Sequence, residues 1–279
     1  MTRPRLNILE GHKYDGKSSL TKFLNSSPLI WKKLGKEFFK YTDKLSQRSS
    51  RESLLISDEF GFWENTNDPC VAARHIEEMR RTALENHFSK VKVLICIRKQ
   101  DTWLASAYAE TSKNFQKPSQ SHFERWVESR IDPYSKFYSS TGVRLRYHSM
   151  FSELSKYMKL KNLKIIPFEL LSQNYSKYIS EINNFIDNSE VQESHEKEII
   201  NKKSKSQNTW KVSPKYIRLK PSRLFSMLGL KKVRLPSILG NQQITLKKEM
   251  SKNIMKLYET ENKLMDKEIR MNLKSYNYY

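Results

Sequence analysis

The sequence has few cysteines and few glycines, and it lacks any long apolar run. Its 279 residues include two cysteines, Cys70 and Cys96. Two cysteines do not form the framework of a disulfide-stapled domain, and they fit a reducing compartment. No apolar stretch has the length of a membrane-spanning helix. The opening residues, MTRPRLNILEGHK, lack the hydrophobic segment of a secretion signal. We therefore predict a cytoplasmic protein.

Acidic residues are scarce relative to basic ones, and the formal net charge is +21. The segment from Asn201 to Lys248 contains thirteen Lys or Arg and no Asp or Glu. Such a block is typical of a surface that meets a polyanion or an anionic membrane, although a solvated tail has the same composition. A nucleic-acid-binding function has no support beyond this charge, since no helix-turn-helix, zinc or RNA-recognition signature accompanies it. Nucleic acid is therefore the least favoured partner.

Apolar segments with strand and helix patterns alternate along the first two thirds of the chain. Strands are predicted at 5–10, 53–59, 90–98 and 160–171, and helices at 17–24, 70–88, 101–115 and 174–187. This alternation predicts an α/β fold, a P-loop-type three-layer sandwich with a central, mostly parallel sheet, over residues 1–192. Residues 193–279 are predicted to be a basic, largely helical C-terminal extension that packs on this core, with a helical pattern over 245–273.

The stretch GHKYDGKSSL, residues 11–20, directly follows the first predicted strand. Its spelling is that of the P-loop of ATP- and GTP-binding proteins. The amides of a glycine turn followed by a helix N-terminus form an oxyanion site. Lys17 adds a charge there, and Ser18 and Ser19 add hydroxyl groups. The loop therefore predicts a phosphate site. A P-loop kinase or NTPase would also need an acid after a strand, for which Asp58 or Glu59 is available.

A second phosphate-binding element is predicted where the strand of residues 90–98 ends in Arg98. Ser106 lies eight residues further on, in the first turns of the next predicted helix. A guanidinium at the strand end and a hydroxyl on that helix can hold one phosphate together. The carboxyl ends of the strands are also the edge at which open α/β sheets bind ligands.

Arg98 and Ser106 at this spacing resemble the motif by which sulfotransferases hold the 3′-phosphate of 3′-phosphoadenosine 5′-phosphosulfate (PAPS). The family's 5′-phosphosulfate loop has the form Gly-x-x-Lys-x-Gly-Thr-Thr/Ser-x-Leu, and GHKYDGKSSL is similar to it throughout. IRKQDTWLASAY is similar to the bacterial members, and ISDEFGF, IIPFELL and LKSYNYY add further similarity. The resemblance covers residues 5–187. It implies a sulfotransferase that moves the sulfuryl group from PAPS to a hydroxyl of a carbohydrate or glycolipid.

The resemblance also implies which residues bind the donor. They are Gly11, His12, Lys13, Tyr14, Asp15, Gly16, Lys17, Ser18, Ser19, Arg98, Ser106 and Lys203. The chain departs from the family at Tyr14, where the usual residue is Lys, so either Lys13 or Lys17 is expected to supply the catalytic charge. In the family a later loop covers the 3′-phosphate with a Lys or Arg. Lys203 in NKKSKS is the candidate for this cation, with Lys202 and Lys205 as alternatives.

A general base is implied in the loop after the second strand. Glu59 occupies that place and Asp58 is the near alternative, while a strand-end carboxylate paired with a lysine is the structural alternative. The resemblance implies no metal. The acceptor pocket is expected in loops such as 60–70 and 110–140. The segment 218–235 mixes Leu and Phe with cations, which suggests peripheral contact with an anionic membrane that presents a lipid-linked sugar.

Overall fold

The computed structural model describes residues 6–9, 55–58, 70–85, 90–115, 117–139, 141–186, 208–212 and 242–279. The helices and strands in these ranges are β1 (Leu6–Leu9), β2 (Leu55–Asp58), α1 (Val71–Glu85), β3 (Lys92–Ile97), α2 (Gln100–Thr111), α3 (Gln120–Ile131), α4 (Tyr147–Tyr157), β4 (Leu163–Pro167), α5 (Phe168–Gln173), α6 (Tyr175–Ile186), β5 (Thr209–Val212), β6 (Gln242–Thr245) and α7 (Lys248–Ile269).

The larger sheet has four strands in the order β2-β1-β3-β4. β3 and β4 are parallel, from Val93 opposite Leu163 to Ile97 opposite Pro167. The crossover between them contains α2, α3 and α4, as a parallel pair requires. The chain is therefore a mixed α/β protein with a parallel strand pair. The expectation of a mostly parallel sheet holds for this pair, but it is wrong for β1, which is antiparallel to both of its neighbours.

The direction of β1 decides which edge of the sheet each strand end reaches. Leu9, the last residue of β1, lies opposite Lys92, the first residue of β3. Leu6 lies opposite both Ile95 and Asp58. The carboxyl ends of β2 and β3 thus share one edge, and β1 ends at the other edge.

β3 is the most buried strand, and its sequence explains why. All six residues of KVLICI are buried, and a near-continuous apolar run suits a strand that is covered on both faces. The side chains of Val93 and Ile97 are fully buried. β3 therefore gives the residues that follow it, from Arg98 onward, a rigid starting point.

Helix α2 is almost entirely buried. Only Thr102 interrupts the buried positions between Gln100 and Tyr108, and α2 packs against α3, α7 and β5. This helix was predicted to begin at residue 101, but it begins one residue earlier, at Gln100. The Asp101 carboxylate lies in the first turn and accepts a hydrogen bond of 2.5 Å from the Thr102 amide. It still satisfies one of the free amides at the helix start.

The elements after residue 207 share the core of the rest of the chain. β5 and β6 form an antiparallel pair that contacts α2 and α3, and α7 packs on α2 and α4. The core includes Trp210, Ile244 and Tyr258. Helix α7 lies within the predicted helical stretch, whereas the β5–β6 pair was not expected. The boundary near residue 192 stays a prediction, since residues 187–207 are not described.

Candidate anion-binding site

Arg98 lies directly after β3, at the carboxyl edge of the sheet. Its backbone is fixed by Tyr147 of α4, whose hydroxyl donates a hydrogen bond of 2.7 Å to the Arg98 carbonyl oxygen. Tyr147 is itself buried. Arg98 is only 8% exposed, so most of its charged side chain has been removed from water. A buried guanidinium requires compensation from hydrogen bonds or negative charge.

Hydrogen bonds to the described residues satisfy only some of the donors of the Arg98 guanidinium. Its Nε donates to Thr102 Oγ1 at 3.3 Å, and the Phe168 ring lies 5.2 Å from its Cζ. Among the described residues, no hydrogen bond or ion pair reaches the two Nη groups of Arg98. The ring covers one face of the guanidinium, and the donor edge that suits a bidentate oxyanion is left open.

Two carboxylates lie near Arg98, but other donors hold both of them. Glu169 Oε1 accepts from the Lys99 amide at 3.0 Å, and Glu169 Oε2 accepts from the Tyr278 hydroxyl at 2.7 Å. Asp101 Oδ1 accepts from the Thr102 amide, and Asp101 Oδ2 accepts from the Ser251 hydroxyl at 2.6 Å. These acids supply negative charge without occupying the Nη groups.

Burial shifts the pKa of both charged groups toward the neutral form. Desolvation lowers the pKa of Arg98, and the negative charge of Glu169 opposes this shift. Desolvation raises the pKa of Glu169, and the hydrogen bonds from Lys99 and Tyr278 oppose it. Arginine keeps its proton in proteins. The site therefore presents a desolvated cation whose Nη groups have no partner among the described residues, which is the electrostatic character of an anion site.

Ser106 lies on the same face of α2 as Thr102, one turn later, as positions four apart do in a helix. It is 6% exposed, and its Oγ accepts a hydrogen bond of 2.9 Å from the Trp210 indole. The Ser106 hydroxyl makes no other hydrogen bond within the described ranges. Thr102, which contacts Arg98, therefore lies between the two residues predicted to hold a phosphate along the chain. The Trp210 indole fixes the Ser106 oxygen through its hydrogen bond.

The other predicted site residues lie outside the described residues. These are Gly11, His12, Lys13, Tyr14, Asp15, Gly16, Lys17, Ser18, Ser19, Glu59 and Lys203. Asp58, the alternative base, ends β2 at the edge shared with Arg98. β1, which leads into the glycine loop, ends at Leu9 on the opposite edge. The roles of the loop residues and of Glu59 stay predictions.

Several residues around Arg98 were not assigned to the site from the sequence. Thr102 could have been found, because it lies four residues after Arg98 and four before Ser106. Glu169 was noted only as part of a family-like segment. Tyr278 was likewise noted only as part of the family-like segment LKSYNYY. Tyr147 and Trp210 carry no local signal, and all three residues reach the site from distant parts of the chain.

One further expectation concerned the acceptor side, and the structure changes its form. Residues 110–140 were predicted to be a loop that lines the acceptor pocket. The middle of this range, Gln120–Ile131, is helix α3, whose N-cap Ser119 accepts from the His122 amide. A serine N-cap with a following amphipathic turn is a common helix start, so this part of the range is regular structure.

Two further features of the described residues concern metal ligands and membrane-spanning helices. Nowhere in the described ranges do three or more His, Cys, Asp or Glu side chains gather as metal ligands would. None of the described helices has both the length and the apolar character needed to cross a bilayer. No protein-family model, no curated protein and no solved structure matches this chain.

Proposed function

We propose that the protein is a PAPS-dependent sulfotransferase with a P-loop-type core, acting on a hydroxyl of a carbohydrate or glycolipid. One observation carries this proposal. Arg98 is a nearly buried guanidinium at the carboxyl edge of the sheet, and its Nη groups have no partner among the described residues. Ser106, eight residues after Arg98 and one turn after Thr102 on α2, is the hydroxyl that the sulfotransferase motif pairs with such an arginine. The 3′-phosphate of the donor would complete this set of donors.

Charge explains why a phosphate is the ligand that suits Arg98. A dianionic oxyanion offers several acceptors to the two Nη groups, and a planar guanidinium matches it in bidentate geometry. Burial removes competing water and strengthens the attraction. The neighbouring carboxylates are bound elsewhere, so they do not compete for the same hydrogen bonds.

The proposed reaction is an in-line displacement at sulfur. The acceptor oxygen forms a bond to sulfur while the bond from sulfur to the 5′-phosphate oxygen breaks, and adenosine 3′,5′-bisphosphate leaves. The acceptor proton passes to Glu59 or Asp58. Lys13 or Lys17 neutralises the charge on the transferred group and the leaving phosphate, so catalysis depends on positioning and electrostatics.

The sheet supports the base assignment more directly than the loop assignment. Asp58 ends β2 on the edge where Arg98 follows β3, and Glu59 is the next residue. The glycine loop follows a strand that ends on the opposite edge. The proposal therefore requires the loop of residues 10–19 to approach the edge that carries Arg98.

A thermal-shift titration tests the proposal. Adenosine 3′,5′-bisphosphate without magnesium is expected to raise the melting temperature, because a ligand that binds only the folded state stabilises it. At a hundredfold excess over Kd the stabilisation is about 2.7 kcal/mol. A shift with magnesium-ATP alone would instead support a kinase or NTPase, and salt-sensitive binding of DNA or RNA alone would support a nucleic-acid-binding protein.

Arg98→Ala is the variant that connects this titration to the site. It is expected to abolish the shift while the unliganded protein stays folded, since Arg98 makes one hydrogen bond through its side chain. Arg125→Ala is the matched control, because it removes an exposed guanidinium from α3. An undiminished shift in Arg98→Ala would exclude Arg98 from the site.

A further inference from the structure

Tyr278 joins the C-terminal segment to the Arg98 site. Its side chain is fully buried, and its hydroxyl donates to Glu169 Oε2 at 2.7 Å. Its carbonyl oxygen accepts a hydrogen bond of 2.8 Å from Asn262 Nδ2. Asn262 in turn exchanges hydrogen bonds with the Gln100 side chain, two residues after Arg98. Tyr278 is therefore held in place by hydrogen bonds at both its backbone carbonyl and its side-chain hydroxyl.

Glu169 lies near Arg98, and its negative charge acts on the guanidinium. Its carboxylate bonds to the amide of Lys99, the residue after Arg98, and the ring of the preceding Phe168 stacks on the guanidinium. A carboxylate beside a buried guanidinium normally forms a bidentate pair with it. Here no ion pair joins the two, and each Glu169 oxygen accepts from another donor.

We propose that Tyr278 is a positioning residue that holds the Glu169 carboxylate away from the Arg98 Nη groups, so that an oxyanion can bind there. The inference rests on the proposed function, because it takes Arg98 as the phosphate-binding residue. In this arrangement Glu169 helps the buried Arg98 stay charged before a ligand arrives. Its bond to Tyr278 prevents it from becoming the ligand itself.

Loss of the phenol hydroxyl changes this balance. In Tyr278→Phe one oxygen of Glu169 loses its donor, and a buried carboxylate without a partner turns to the nearest available donors. Those donors are the Nη groups of Arg98. An incoming phosphate must then displace the carboxylate. The apparent affinity becomes the intrinsic affinity multiplied by the fraction of molecules in which the carboxylate does not occupy the guanidinium.

The test is a set of four full-length proteins titrated calorimetrically with adenosine 3′,5′-bisphosphate. They are the natural protein, Tyr278→Phe, Glu169→Gln and the double variant. If the internal pair occupies nine molecules in ten, Tyr278→Phe weakens binding about tenfold. The double variant is expected to regain the affinity of the natural protein, because a neutral amide does not compete for Arg98 as a carboxylate does. Glu169→Gln alone is expected to bind at least as tightly as the natural protein.

Rescue by the second substitution distinguishes positioning from a structural role. The melting temperatures of the four unliganded proteins are recorded in parallel, since a structural role would lower stability and affinity together, with no recovery in the double variant. That outcome, or unchanged affinity in Tyr278→Phe, overturns the inference. If Tyr278→Phe does not fold, Glu169→Gln alone decides, because weaker binding in that variant contradicts a competing carboxylate.

A second probe separates failure of the inference from failure of the proposed function. Inorganic phosphate is titrated against the same four proteins. If the natural protein binds phosphate but not the nucleotide, the donor assignment fails and the four phosphate affinities still test Tyr278. If it binds neither, Arg98 is not an anion site, and both proposals fall.

Discussion

At the scale of single residues, Arg98 shows how a buried charge can be compensated without a direct ion pair. Desolvation disfavours the guanidinium, and nearby negative charge offsets this penalty. Glu169 and Asp101 supply that charge, but their oxygens are bound by Lys99, Tyr278, Thr102 and Ser251. The result is a cation that is compensated at a distance and open to hydrogen bonding at its edge.

Gly142 lies in the segment that leads into Tyr147, whose hydroxyl binds the Arg98 carbonyl oxygen. A Cβ at this position would lie 2.3 Å from the Arg130 carbonyl oxygen and 2.3 Å from the Tyr138 ring. Gly142→Ala is therefore expected to destabilise the fold by about 1–3 kcal/mol, as overpacking does. Chemical denaturation of the unliganded protein measures the loss.

Ser139→Ala is the control for this prediction, because it removes only a half-buried hydroxyl of the same turn. It is expected to change the free energy of unfolding by less than about 0.5 kcal/mol. A loss in Gly142→Ala no larger than that of the control would show that the Tyr138 ring moves aside freely.

The residues that could be predicted around Arg98 are those that local spacing specifies. Arg98 and Ser106 were selected because a strand end and a following helix determine where eight residues lead. Trp210 and Tyr278 were not, because the indole reaches Ser106 from 104 residues away and the phenol reaches Glu169 from 109. Contacts of that range depend on tertiary packing, which no local pattern specifies.

At the scale of elements, the strongly periodic segments were predicted well. The predicted strand 90–98 contains β3, and the predicted helices 70–88 and 245–273 contain α1 and α7. The β5–β6 pair was missed, because its two strands have four residues each and are separated by about thirty residues of basic sequence. Their burial alternates only over such short lengths that periodicity is a weak signal.

The direction of β1 is the element-level feature with the largest consequence for the proposed reaction. A strand parallel to β3 would have its carboxyl end at the same edge of the sheet as Arg98, and an antiparallel strand has it at the opposite edge. The sequence pattern of β1 does not distinguish a parallel from an antiparallel strand. The four residues LNIL are apolar at alternating and adjacent positions, which fits a parallel or an antiparallel strand. Only the pairing register shows that β1 is reversed.

Disulfide cross-linking tests this register. In a chain with Cys70 and Cys96 replaced by Ala, Leu9→Cys combined with Lys92→Cys is expected to form a disulfide under mild oxidation. The two positions are cross-strand partners, and such pairs have the Cβ separation that a disulfide needs. The yield is measured by mass spectrometry of the non-reduced digest.

The control combines Leu9→Cys with Ile95→Cys, a pair that is expected to stay reduced. Preferential cross-linking of this second pair would contradict the antiparallel register. It would also place the end of β1, and the glycine loop behind it, near Arg98.

At the scale of the whole molecule, one core and an uneven charge coexist. The core joins residues from α1 to Tyr278, while thirteen cations without an acidic residue lie between Asn201 and Lys248. A net charge of +21 favours association with anionic surfaces through counterion effects that salt screens.

This charge predicts reversible binding to anionic vesicles. Co-sedimentation with phosphatidylserine vesicles is expected at low ionic strength and is expected to fall steeply as salt is added. Phosphatidylcholine vesicles should bind little, since they lack the net charge. No binding at low salt would remove the membrane from the proposed partners.

A pair of triple variants locates the surface. Replacing Lys231, Lys232 and Arg234 with Ala is expected to weaken vesicle binding by about 1 kcal/mol for each cation that lies near the surface. The control replaces three exposed lysines of α7, namely Lys252, Lys256 and Lys267. Equal losses in both variants would indicate a response to total charge with no preferred face.

The burial of Tyr278 also bears on how the protein is made. Its phenol completes the surroundings of Glu169, and its carbonyl oxygen is bound by Asn262. While the residues around Tyr278 are still inside the ribosomal exit tunnel, they cannot make these contacts, although β3 and α2 have emerged. The surroundings of Arg98 are therefore complete only after synthesis has passed Tyr278, and a chain shortened before this residue carries Arg98 without the phenol that binds Glu169.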